Sequence, residues 1–152
     1  MKSKVNQTAP IDLKIIVSLN QPSFFMKKEI ITTLNAPAPI GPYNQAIKVG
    51  NTLYISGQIP IIAKTMELFN GTIKEETELV MLNLNAVLEA AGMSFGHVVK
   101  TTIFLSDMEN FGKVNNVYGT YFDNDTAPAR ETVAVKTLPK DVRIEISMIA
   151  VK

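Results

Sequence analysis

Cysteine and tryptophan are absent from this chain, histidine occurs once, and arginine supplies only two of the fifteen basic residues. Without cysteine there is no disulfide staple, no thiolate zinc site and no thiol nucleophile, while reducing and oxidising compartments both remain open. The single histidine, His97, closes the connector that begins at Met93 and has no companions there for a metal site. It reads as a solvent-exposed connector residue. No apolar run approaches the roughly eighteen residues of a membrane span. Charge is also sparse: the total is +1, and residues 1–28, with five lysines and one aspartate, hold +4 of it, leaving the body at −3. A slightly acidic body is a poor partner for nucleic acid, whose binding rests on neutralising phosphates.

What is present fits one domain. The 152 residues, 46% of them hydrophobic, suffice for a sizeable core. Residues 1–25 differ from the rest, with Asn6, Gln7, Pro10, Asn20, Gln21 and Pro22 around a short apolar run at Ile15-Ile16-Val17. They read as a flexible appendage without a catalytic role, ahead of a domain over 26–152. A targeting extension, an over-long translation start and residues foreign to the natural protein are the competing readings.

From Glu29 to Leu34 the β-branched residues predict a strand. The proline-rich stretch Asn35 to Pro39 and then Gly41-Pro42-Tyr43 predict a loop. A hairpin follows, Asn44–Val49 and Thr52–Ser56 around Gly50-Asn51. Ser56 has no neighbouring histidine to activate it as a nucleophile. Thr72 with Glu75 forms a capping box that opens a helix ending at Gly92. Val98 to Leu105, apolar on both faces, predicts a central strand. Ser106 with Glu109 predicts a second capping box and a helix to about Phe122, with Phe111, Val114, Tyr118 and Tyr121 as its buried stripe. The class is α+β, with two helices on one face of a mixed sheet.

Both arginines fall between Thr126 and Ser147. Strand alternation places Arg130, Thr132 and Ala134 on one face, with Glu131 on the other side. It also separates Ile144, Ile146 and Met148 from Arg143, Glu145 and Ser147. With Leu138-Pro139-Lys140-Asp141 as a hairpin turn, the two polar faces would line one pocket. Bidentate recognition of a carboxylate or phosphate is what arginine does and lysine does not. An ordinary surface salt bridge between Arg130 and Glu145 is the plainer reading.

Pro128-Ala129-Arg130, Leu138-Pro139-Lys140-Asp141-Val142 and Ile144-Glu145-Ile146, with Ile40-Gly41-Pro42-Tyr43 and Ile55-Ser56-Gly57-Gln58-Ile59-Pro60 upstream, resemble the RidA (YjgF/YER057c/UK114) family of small imine deaminases. The resemblance covers the chain from about Lys27 to Lys152. It implies a chorismate-mutase-like fold and a homotrimer with pockets between subunits. It also implies hydrolytic deamination of enamine and imine intermediates, 2-iminobutanoate and 2-iminopropanoate, to 2-oxo acids and ammonia. Arg130 and Glu145 would then be catalytic, and Tyr43, Ser56, Asn115 and Thr132 substrate-binding. No metal or organic cofactor is called for. The partners would be 2-imino and 2-oxo acids, without membrane or nucleic acid, and the location cytoplasmic, or mitochondrial or plastidial if residues 1–25 are a transit peptide. Two departures bear on the pocket: Glu131 stands where the family usually has a small residue, and Thr132 where well-known members often have cysteine. A carboxylate carrier or chaperone without turnover, and the family's ribonuclease or translation-inhibitor activity, are the alternatives. If residues 1–25 are an appendage, a chain starting at Met26 melts with the full-length protein and keeps its activity. A loss of several kcal/mol on truncation would place them in the domain.

Overall fold

The computed structural model of the chain describes residues 26–152; the reading of residues 1–25 as an appendage lies outside them. Six strands form one mixed sheet: β1 (Lys28–Ile31), β2 (Ala46–Val49), β3 (Thr52–Gln58), β4 (Val98–Leu105), β5 (Ala129–Ala134) and β6 (Ile144–Val151). Their order is β1-β2-β3-β6-β4-β5. All neighbours are antiparallel except β4 and β5, which are parallel. Two helices, α1 (Ile73–Ala90) and α2 (Phe111–Tyr118), lie on one face. The expected class and helix placement are therefore found, while several boundaries and one connection differ.

The local signals explain the elements that match. Thr72 and Glu75 form both halves of the capping box, and the chain leaves α1 through Gly92 at φ 68°, a conformation that suits a residue without Cβ. Gly50 turns the first hairpin at φ 57°. The apolar side of α1, with Val80, Leu84, Val87 and Leu88, packs on Leu53, Ile103, Ile144, Ile146 and Met148 to make the core. The first strand is shorter than expected because Gln45 draws the chain away from it. This buried amide accepts from the Thr33 N–H and donates toward the carbonyls of Thr33, Ala36 and Pro37, fixing the proline-rich loop.

The second helix begins later than its expected cap at Ser106. Asp107 accepts from the Glu109 N–H and opens a single 3₁₀ turn at Met108–Asn110, after which α2 runs only to Tyr118 before tightening again over Gly119–Tyr121. The larger correction concerns β5 and β6, which are not a hairpin. β4 lies between them, paired parallel to one and antiparallel to the other, and α2 makes the crossover that a parallel pair requires. After Leu138 the segment Pro139–Asp141 is instead a 3₁₀ turn with Lys140 and Asp141 at φ 57° and 55°.

That segment is followed by Arg143, which leaves the polar face assigned to it and reaches α1. Its Nε donates to Glu76 at 3.0 Å, and its Nη2 donates to the other carboxylate oxygen at 2.7 Å and to the Gly71 carbonyl at 2.6 Å. The Glu76 side chain is 6% exposed against 43% for Arg143, so removing the arginine strands a buried carboxylate. Arg143→Met is expected to cost about 3 kcal/mol, the low end for a broken buried pair because one partner is half in water. Glu76→Gln, which keeps a hydrogen-bonding amide, should cost less. Urea unfolding at one fixed protein concentration measures both; a loss below about 1 kcal/mol for Arg143→Met would make this an ordinary surface pair.

Candidate active site

A register change between β3 and β6 builds the first half of the site. Ile55 pairs with Met148 and Gln58 with Ile146, so Ser56 and Gly57 together oppose Ser147 as a β-bulge. Ile55 and Gln58 turn inward, and Ser56 and Gly57 reach the sheet face that no helix covers. Glu145 lies across that bulge. A Cβ on Gly57 would stand 1.9 Å from Glu145 Oε1, so glycine is what lets the carboxylate settle there. Ser56 donates its hydroxyl to the Asn44 carbonyl at 2.7 Å, tying the bulge to the loop that carries Tyr43.

Around Glu145 is a pocket of about 330 Å³ lined by Ile40, Tyr43, Ser56, Gly57, Ile59, Pro139 and Glu145. Three expected residues, Tyr43, Ser56 and Glu145, thus meet. Tyr43 Oη accepts the Ile40 N–H at 3.3 Å, which holds the ring at the rim. Half-buried among apolar walls, and with neither a hydrogen-bond nor an ion-pair partner among the described residues, the Glu145 carboxyl is pushed up from its ordinary value by desolvation alone. A cavity of similar size, about 370 Å³, lies beside Arg143, Glu76, Lys140 and Asp141, but there the arginine and the buried carboxylate already satisfy each other.

Arg130 is elsewhere. It pairs with Thr101 of β4, whose side chain is buried on the helical side, so within one chain Arg130 and Glu145 occupy opposite faces of the sheet with β4 between them. The expectation that both polar faces line one pocket of a hairpin is corrected by this topology. Asn115 of α2 accepts from Arg130 Nη1 at 2.8 Å, and the guanidinium lies 4.9 Å from the Tyr118 ring centre and 5.9 Å from that of Phe111. Asn115 therefore touches the arginine within this chain. Thr132, two residues on, keeps its Oγ1 buried without a partner among the described residues. Glu131 faces the opposite side, as expected, bonded to Lys100 and Thr102. The strand pattern missed Gly57, Gln45 and Pro139; the Ser-Gly-Gln sequence was the one available hint of a bulge. Among the described residues no group of three His, Asp or Glu side chains is placed to hold a metal.

Comparison with known proteins bears on this geometry. Residues 33–152 match the family described as endoribonuclease L-PSP. The RutC family protein of Pyrococcus horikoshii is 56% identical over 125 residues, covering 82% of this chain and 98% of that protein. The mouse 2-iminobutanoate/2-iminopropanoate deaminase is 46% identical, covering 82% of this chain and 92% of that one. Among solved structures, that of Escherichia coli TdcF with bound serine superposes with a TM-score of 0.76 at 40% identity, covering 82% of this chain and 98% of that one.

The raised Glu145 affinity for a proton has a consequence for stability. A carboxyl whose folded-state pKa lies above its unfolded value destabilises the fold when ionised and ceases to do so once protonated. Glu145→Gln is therefore expected to melt higher than the parent at neutral pH, with the difference shrinking as pH falls through the raised value and vanishing below the ordinary carboxylate range. Melting curves across that range measure it. A difference independent of pH would mean that the carboxylate is not desolvated.

Proposed function

This chain belongs to the endoribonuclease L-PSP family, in which the RidA proteins stand, and from that membership we propose that it hydrolyses 2-imino acids to 2-oxo acids and ammonia. The observation that carries the reading is Glu145: a desolvated carboxylate without a partner among the described residues, in a largely apolar pocket. Such a group suits proton transfer near neutrality better than an exposed one. A surface salt bridge would have paired it.

In the reaction water adds to the carbon bearing the nitrogen, with Glu145 drawing off a proton. Both water hydrogens end on the nitrogen, which leaves as ammonia, and the water oxygen becomes the keto oxygen. Arg130 holds the adjacent carboxylate through two parallel N–H donors and so fixes the reacting carbon. Because Arg130 and Glu145 occupy opposite faces of one chain, a single substrate meets both only where the Arg130 edge of one copy closes over the Glu145 pocket of another. The uncovered sheet face, with exposed Tyr54 and Val133, favours such burial. A homotrimer with three equivalent clefts is the assembly the family resemblance implies. Support for the substrate class comes from the mouse relative's name and from serine, itself an α-carboxylate, in the Escherichia coli structure. The ribonuclease reading has the family description behind it, and the −3 charge of the body against it.

The test is Arg130→Lys, which keeps the charge and replaces the planar fork by a point. Losing one charge-assisted bond and its orientation should cost about 1.5 to 3 kcal/mol in kcat/KM, roughly one to two decades, for loss of 2-iminobutanoate above the uncatalysed rate. Light scattering must first show the parent's mass, about three times that of the chain. Activity within about twofold of the parent would remove Arg130 as the anchor. Glu145→Gln in the same assay keeps 2-oxo acid binding and loses turnover.

A further inference from the structure

Arg130, the anchor of the proposed reaction, is held by a closed ring of contacts. Its backbone pairs across the strands with Thr101. The Thr101 side chain is buried and its Oγ1 accepts the Tyr118 hydroxyl at 3.1 Å. The Tyr118 ring lies beneath the Arg130 guanidinium, at 4.9 Å from the ring centre. Each of the three residues thus fixes the next, and the last returns to the first.

A guanidinium over an aromatic face is attracted by the ring quadrupole. With Arg130 Cζ over the Tyr118 ring, that attraction restrains the tilt of the fork, which a single hydrogen bond to Asn115 leaves free to swing. The ring itself is fixed by its hydroxyl. Burial pushes that hydroxyl up from the usual phenol value, so it stays a neutral donor to Thr101.

We propose that Tyr118, locked to Thr101, is the positioning residue that sets the plane of the Arg130 guanidinium and through it the orientation of the bound carboxylate. The proposal rests on the reading of Arg130 as a carboxylate anchor. It assigns a function to a side chain that as a helix-stripe residue would only fill the core. Among the described residues the edge bearing Nε and Nη2 stays open, since Nη1 is the nitrogen that Asn115 engages. A carboxylate binding there lies in the plane that Tyr118 dictates.

The experiment compares Tyr118→Phe, Tyr118→Leu and Thr101→Val, each first shown to keep the parent's mass and far-ultraviolet spectrum. Calorimetry measures 2-oxobutanoate binding, and the imine assay measures kcat and KM. Tyr118→Phe keeps the face and loses only the lock, so binding should weaken severalfold. Tyr118→Leu loses the face and should weaken it tenfold or more. Thr101→Val, which keeps the core shape if the leucine variant fails to fold, should match Tyr118→Phe. In an Arg130→Lys background, which has no plane to set, Tyr118→Leu should have little further effect on binding. Parent-like binding by Tyr118→Leu, or losses that simply add in the double variant, would overturn the proposal. A parent protein that binds 2-oxobutanoate but does not turn over the imine would overturn the deaminase reading and leave this coupling intact.

Discussion

Strand β4 stands between β6 and β5, and that placement decides where the polar groups of the chain come to lie. A parallel pair cannot be joined by a tight turn, so β4 and β5 need the crossover that α2 supplies. The crossover brings Phe111, Asn115 and Tyr118 onto the second residue of β5, Arg130. The same placement removes Glu145 to the strand beyond β4 and turns it to the other face. One chain therefore carries these two charged groups on opposite faces of its sheet. The helical face holds the cation, and the bare face holds the carboxylate.

The bare face also explains how a carboxylate becomes desolvated without being buried in the core. Gly57 leaves room at the bulge, and the Gln45 amide gathers the loop of prolines so that Ile40 and Tyr43 stand over the gap. Apolar walls then remove water from one side of Glu145, and no donor among the described residues replaces it. A structural carboxylate would be expected to find a partner, as Glu76 does in Arg143. The contrast between these two glutamates is the strongest local argument that Glu145 is kept for an incoming molecule.

What was legible in the sequence was what short-range chemistry dictates. The Thr72–Glu75 capping box, the Gly50-Asn51 turn and the face alternation of Ile144 to Met148 each depend on neighbours within a few residues, and each is found. The grouping of Tyr43, Ser56 and Glu145 followed from the motifs that carry the family resemblance. The false hairpin had the opposite cause: Leu138–Asp141 satisfies turn chemistry, and the insertion of β4 between its flanking strands leaves no mark in those four residues. Arg143 was misplaced for a related reason, since alternation governs a residue inside a strand and Arg143 precedes β6, where Glu76, 67 positions earlier, attracts it. Asn115 was named from the resemblance alone, and that it touches Arg130 depends on how α2 crosses the sheet.

The two arginines divide along a line that charge makes clear. Arg143 meets a buried carboxylate through two bonds, and its charge is neutralised within the chain. Arg130 is exposed and, among the described residues, is held by a neutral amide oxygen and two aromatic faces, with no carboxylate in ion-pair range. A neutral hold fixes direction without cancelling charge. Had Asn115 been aspartate, an arriving carboxylate would have to compete with a like charge already in place, and the affinity gained from the fork would fall accordingly. Orientation by dipoles and ring faces leaves the full positive charge and at least three N–H donors available to an anion. An uncancelled charge under a neutral hold is what recognition of an anion would require, and it is what the Arg143–Glu76 pair lacks.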